Sequence, residues 1–483
     1  MLWPNVAGRL AGVVALLLAA CGRGGGGPEP RPSASPPDAP TSSASSASSV
    51  SAGSPVGSAP PAVPPDPRWP TGREAAPLRP RPGDDQTPIV ACSWRHPICV
   101  HGATAVPSTA LASTLEAAEH AADVYQTLGV PRPYPDGARG GGPAYDLYLV
   151  RGADPVTTVD PVPTGGSFDR ASAFTVLPPP SPRAAGCVLA SDVARALSQA
   201  SLLRLDAGLE AGALAMASSY LASLAAPCTV VEAAAVDDLQ RNPERELTAV
   251  TPEAFDGAML FPAFLDERFG NGRYAQPILA LVTVAAQKTP PGSWQWHNEP
   301  DVFDALRLAG HDRSFSLGDL LLDLAIARAF VGDRSDGGHL ADTERFGALG
   351  RIRFEWAVPY ASLPRRLAPL RPVSATGATY LWIDLAGAPA GAGLTFVADW
   401  ELPVTFHWAM VRVDREGRDI GRVDVAAIYG STHAERTVVR LDGLAGLLVV
   451  GVNGGDLDRS TPFDPDEGPF EPHGYTVTLH KDL

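Results

Sequence analysis

Between Cys187 and Cys228 the apolar positions recur every three or four residues. Leu189, Val193, Ala196, Leu197, Ala200 and Leu203 share one helical face; Leu209, Ala213, Met216, Tyr220 and Leu224 share another. This spacing predicts two consecutive helices packed together, with a cysteine just before the first and just after the second. Upstream, Leu111, Leu115, Ala118, Ala122 and Tyr125 predict a helix running to about Leu128, with Ser108 as its cap. Downstream, helices are expected over 255–269 (closed by Gly270), 278–287, 302–309 and 317–330. Residues 145–150 and 172–177 read as strands. Beyond residue 350 the period changes to two. Leu381, Ile383 and Leu385 share one strand face, and Val404, Phe406, Trp408 and Met410 share another. Segments 437–441, 447–452 and 475–479 continue the series, with Gly, Pro and Asp between them. Short strands at that spacing predict an antiparallel β-sandwich. The fold class is α+β and multidomain: a mainly α-helical domain with a small sheet, then the sandwich.

The stretches without a period set the boundaries. Residues 21–86 are Gly, Pro, Ser and Ala with scarcely an aliphatic cluster, too little apolar surface to offset the entropy of ordering, and read as a disordered tether. The α-rich domain is expected over 87–334, a polar linker over 335–350, and the sandwich over 351–483. Residues 1–20 read as a targeting signal: Arg9 precedes a short apolar run that ends Leu17-Leu18-Ala19-Ala20-Cys21. That run is too short to span a bilayer comfortably. Small residues before a single Cys resemble the lipobox of bacterial lipoproteins. The resemblance implies lipidation of Cys21, a membrane anchor and, with Gly22 rather than Asp following, the outer membrane of the cell envelope.

Composition narrows the chemistry. The formal charge of −15 argues against a nucleic-acid partner, which needs a basic patch. Only Lys288 and Lys481 are available to a mechanism that needs an activated lysine. Four cysteines remain after Cys21, an even number suited to an oxidising compartment. The favoured pairings are Cys92 with Cys99, around a short loop, and Cys187 with Cys228, around the helical pair. A zinc site built from cysteines and His96 is the rival, without a CxxC pair to support it.

The order of the pieces resembles a bacterial family of zincin-type metallopeptidases, several of them lipoproteins. The likeness covers roughly residues 111–483. It rests on Pro133-Tyr-Pro-Asp136 leading into Tyr145-Asp-Leu-Tyr-Leu149, on Glu210-Ala-Gly-Ala213, on Leu260-Phe-Pro-Ala-Phe-Leu265 with Glu267-Arg-Phe-Gly270, and on Ser316-Leu-Gly-Asp319 with Ala325-Ile-Ala-Arg-Ala329. In that family the central helix carries His-Glu-x-x-His followed soon by Gln, and the next helix Glu-Gly-Thr-Ala. Aligned on Gln199, the resemblance puts Asp192 at the first His, Val193 at the general-base Glu, Ala196 at the second His and Glu210 at the third ligand. Zinc hydrolysis needs two imidazoles one helical turn apart and a carboxylate beside the metal-bound water. Asp192 and Glu210 supply oxygens and no nitrogen, and Val193 cannot accept a proton. The expectation is a catalytically inactive, metallopeptidase-like envelope lipoprotein without zinc, acting by binding a peptide or another envelope protein. Two alternatives stay open: an active hydrolase with a carboxylate metal site around Asp192 and Glu210, and a purely structural envelope protein.

Other constellations are weaker. No Gly-x-Ser-x-Gly elbow occurs, and Gly140-Gly-Gly142 precedes a strand with no Gly-Lys-Ser/Thr after it, so it is not a phosphate cradle. Gly430-Ser-Thr-His433 brings a Ser near a His, but in a loop between strands. Asp456, Asp458, Asp464, Asp466 and Glu467 could supply oxygens to Ca²⁺, though a solvated acidic loop is the commoner use of such a cluster. His407, on the strand face opposite Phe406 and Trp408, is expected in solvent or at an interdomain contact. Trp294 and Trp296 are expected to pack their loop onto helices, and His297 with Glu299 lies beside them.

Overall fold

The computed structural model describes residues 81–137, 139–159, 170–181, 186–248, 257–286, 300–311, 315–427, 431–455 and 472–482. Cys21, Trp294, Trp296, His297, Glu299 and the acidic loop Asp456 to Glu467 lie outside them. The fold is mixed α+β. A first sheet has the order β1-β2-β3-β5-β4, made of β1 (Ile89–Cys92), β2 (Ile98–Gly102), β3 (Tyr145–Leu149), β4 (Val156–Val159) and β5 (Ala173–Leu177). β2, β3 and β5 run parallel, while β1 and β4 lie antiparallel at the two edges.

Against this sheet pack α1 (Ser108–Leu128) and the central α2 (Gly186–Leu205). α1 buries Leu111, Thr114, Ala118, Ala121 and Tyr125, the helical spacing that the sequence displays. It ends at Gly129, whose φ of 77° lets its N–H return to Tyr125 O and Gln126 O. Ser108 is not its cap. Pro107 holds the capping position, and no side chain caps the helix. α2 is Ala- and Ser-rich, so α3 (Ala211–Ala225) can approach closely. Ser198 Oγ donates across this contact to Ser218 O at 3.2 Å. α4 (Thr229–Arg241), α5 (Leu260–Phe269), α6 (Gln276–Ala285), α7 (Val302–His311) and α8 (Leu317–Ala329) complete the helices among the described residues. None is long and apolar enough to cross a membrane.

Both favoured disulfides are formed, Cys92 with Cys99 across β1 and β2, and Cys187 with Cys228 across the helical pair. The rival zinc arrangement is therefore not adopted, and His96 Nε2 instead meets Asp123 Oδ1 at 2.9 Å. Residues 335–350 form a strap packed on the helices. Leu340 and Phe346 are buried in the helical core, His339 stacks on Phe330 with ring centroids 4.4 Å apart, and Thr343–Gly350 forms a 3-10 turn.

The remaining strands form two sheets. One has the order β11-β10-β13-β8-β6, from β6 (Trp356–Pro359), β8 (Ala378–Asp384), β10 (Phe406–Val413), β11 (Asp419–Val425) and β13 (Gly446–Asn453). The other has the order β12-β9-β14-β7, from β7 (Arg365–Leu367), β9 (Gly393–Trp400), β12 (His433–Val438) and β14 (Tyr475–Asp482). One core lies between them, and Leu381, Ile383, Leu385, Val404, Phe406, Trp408 and Met410 all enter it, as their period of two requires. The pairing is not wholly antiparallel. β6 and β8 are parallel because the chain crosses to β7 in the other sheet between them. The opposite face of β8, β10 and β13 packs on α8 through Tyr380, Val411, Leu448 and Val450. β13 is buried along its whole length, as a strand covered on both faces must be.

Candidate functional site

Where β4 and β5 meet α2, the protein forms a half-open cavity of about 140 Å³. Asp192, Arg195, Ala196 and Gln199 line it from α2, the spacing of one helical face. Pro155, Val156 and Thr157 line it from β4 and the residue before it, Thr175 and Leu177 from β5, and Leu214 from α3. Two of the positions singled out by the resemblance, Asp192 and Ala196, are thus brought to one wall. Val193 is not with them: it is fully buried and faces the core. Glu210 is 5% exposed at the residue before α3, and its carbonyl accepts from Leu214 N–H at 2.9 Å, one turn short of the cavity lining.

α2 is held by tyrosines from two sides. Tyr125 OH donates to Ala194 O at 2.8 Å, and Tyr145 OH donates to Ala196 O at 3.0 Å. Burial pushes both phenols far above their ordinary range, so both keep their protons. Beneath the cavity Tyr145, Thr175, Thr157 and Gln199 follow one another at hydrogen-bond distances of 2.5, 2.7 and 2.6 Å.

This donor set does not fit zinc. Ala196 offers only a methyl group, Asp192 oxygen only, and Val193 no acceptor for a proton, whereas a zinc hydrolase site needs imidazole nitrogens and a base. Among the described residues no group of three or more His, Cys, Asp and Glu side chains is placed to hold a metal ion. The described histidines with close carboxylates are engaged elsewhere: His96 with Asp123, His101 with Asp146, His339 with Asp336, His407 with Asp319, His433 with Asp399 and His473 with Glu401. Ser431 Oγ bonds the backbone of His433 rather than its ring, so the pair does not form a nucleophile and base. His407 lies at the contact between β10 and α8, its Nδ1 3.5 Å from Asp319 Oδ1 and its ring against Gly318.

Asp192 and Ala196 are singled out by aligning Gln199 on the resembled motif, and the helix brings both to one wall. Sequence reasoning missed Arg195, Thr157 and Thr175. The only local sign of β4 is the four-residue Val156-Thr-Thr-Val159 behind Pro155, too short to display alternation.

No family model matches the chain, and no curated protein matches it. Among solved structures, the chain is similar to the pre-peptidase C-terminal domain of a collagenase from Bacillus anthracis. The match has 8% identity and a TM-score of 0.19, and covers 27% of this chain and 98% of that domain.

Proposed function

We propose that this chain is an envelope lipoprotein, anchored through Cys21 at the outer membrane, whose zincin-like domain is catalytically inactive and binds extended peptides. The C-terminal unit is a β-sandwich docked on that domain through α8. One observation carries the reading. Asp192, Ala196 and Gln199, one and two turns apart on α2, line a cavity beside an antiparallel edge strand, in the place the resemblance assigns to a metal and its imidazoles. An edge strand offers unpaired main-chain groups to a peptide laid alongside it, and a pocket beside that strand accepts one of its side chains.

The test fills the cavity. Binding of acetylated, amidated heptapeptides of alternating threonine and valine is measured by calorimetry on the native protein and on Ala196→Phe, with circular dichroism confirming that the variant folds. Binding that disappears in Ala196→Phe supports the reading. Undiminished binding, or none to either protein, removes it and leaves the purely structural alternative.

A further inference from the structure

The hydroxyl groups beneath the cavity decide which way Gln199 faces. Four contacts run in a row: Gln199 Oε1 to Thr157 Oγ1 at 2.6 Å, Thr157 Oγ1 to Thr175 Oγ1 at 2.7 Å, Thr175 Oγ1 to Tyr145 Oη at 2.5 Å, and Tyr145 Oη to Ala196 O at 3.0 Å. Both ends of the row are carbonyl oxygens, which only accept. Three hydroxyls supply three protons for four contacts. One pair of oxygens would therefore face each other at contact distance with no proton between them, in a place where Thr157, Thr175 and Tyr145 are 6%, 1% and 4% exposed. An unmatched polar contact of this kind is costly when buried.

The other end of the Gln199 amide makes no hydrogen bond among the described residues. The two ends of a carboxamide have the same shape, so the surrounding network selects the orientation. Turned by half a turn, Gln199 donates Nε2–H to Thr157. Thr157 then donates to Thr175, Thr175 to Tyr145, and Tyr145 to Ala196 O. Four protons now serve four contacts, and nothing is lost.

We propose that Gln199 holds this orientation and presents Oε1 to the cavity, which makes the site a receptor for a neutral hydrogen-bond donor. Asp192 adds carboxylate oxygens to the same wall, and Arg195 balances its charge. With one acidic and one basic side chain on the same wall, the lining carries no net charge that would favour an ion over a neutral group. The cavity of about 140 Å³ equals the liquid volume of roughly five water molecules, which a side chain of about five heavy atoms fills. The assigned ligand is the carboxamide or hydroxyl side chain of a bound peptide. This assignment rests on the peptide reading above; the orientation of Gln199 does not.

Two readouts separate those parts. In protein carrying ¹⁵N in its glutamine side chains, the Gln199 signal is identified by its loss in Gln199→Leu. One of its two amide protons exchanges slowly with solvent, and Thr157→Val abolishes that protection. A freely exchanging pair that Thr157→Val leaves unchanged overturns the orientation whatever the ligand. In calorimetry with the same heptapeptides, central glutamine binds about tenfold tighter than central leucine. Central glutamate and lysine bind more weakly than glutamine, and the glutamine-to-leucine ratio falls to about one in Gln199→Leu. Leucine binding as tightly as glutamine, or a ratio that survives in Gln199→Leu, overturns the donor specificity. Binding by no peptide at all removes the peptide reading and the side-chain assignment with it, while the exchange readout still decides which way the amide faces.

Discussion

Arg328 carries its guanidinium into the core at 1% exposure and finds carbonyl oxygens there. It donates to Leu239 O at 3.0 Å and to Gln240 Oε1 at 3.2 Å, while Gln240 Nε2 donates back to Arg328 O and to Gly350 O, each at 2.8 Å. Burial pulls the pKa of Arg328 down. Gln240→Ala removes the reciprocal bonds and leaves a buried cation short of acceptors, so it lowers stability by about 3 kcal/mol, read by urea denaturation. Two carboxyl groups set opposite pH dependences. Asp266 accepts from Tyr220 OH and from Ala275 N–H, but burial still pushes its pKa from 3.8 up to about 6. A raised carboxyl favours the fold in its neutral form. Its contribution is complete below the unfolded value and is lost as pH rises through about 6. Asp266→Asn abolishes that decline, roughly 3 kcal/mol between those limits, seen by comparing denaturation at acid and neutral pH. Asp319 is the reverse case. His407 beside it, aided by the Ser316 hydroxyl, holds its carboxyl near 2. That contribution is present above 3.8 and lost as pH falls toward about 2, so Asp319→Asn flattens the acid limb of the stability profile.

At the scale of elements, α2 is the piece on which the rest converges, and the sequence makes it legible. α1, α2, α3 and α8 bury apolar residues at helical spacing, and β8 and β10 alternate, so their periods survive in the chain. The elements that reasoning missed lack such a signal. The buried face of α4 is Glu232, Ala233, Val236, Leu239 and Gln240; its two polar members serve Arg345 and Arg328 and erase the apolar stripe. β11 is an edge strand with most residues at least partly exposed, so no alternation marks it. The strap over 335–350 packs through the adjacent His339 and Leu340 and then Phe346, which no periodic pattern announces. In the candidate site, the spacing shows that α2 is a helix, but Asp192 and Gln199 are singled out only by the resemblance, and Thr157 and Thr175 reach the wall through the pairing of β4 with β5. The Cys187–Cys228 bridge ties the start of α2 to the start of α4 over a separation of 41 residues. Replacing both cysteines with alanine costs about 4 kcal/mol of stability by closing-entropy arguments, measured by denaturation of the oxidised native protein and the variant.

For the whole molecule, α8 joins the helical unit to the paired sheets. Tyr380 OH donates to Ala325 O at 2.9 Å, and Asp323 is shared by Arg422 from β11 and Arg268 from α5. Between them lies the apolar contact through Val411, Leu448 and Val450. A fragment of residues 351–482 exposes that face and aggregates, whereas the full chain unfolds in one transition. Sizing chromatography of the fragment checks this, and a monodisperse, cooperatively folding fragment contradicts it. Within this architecture, we propose, the space between α2 and β4 binds peptide and holds no metal. Native mass spectrometry of the protein, equilibrated with Zn²⁺ and the heptapeptides, tests this claim most directly. The expected result is a complex with intact peptide and no stoichiometric zinc. One zinc per chain that Glu210→Ala abolishes, with cleaved peptide in the same spectrum, contradicts it.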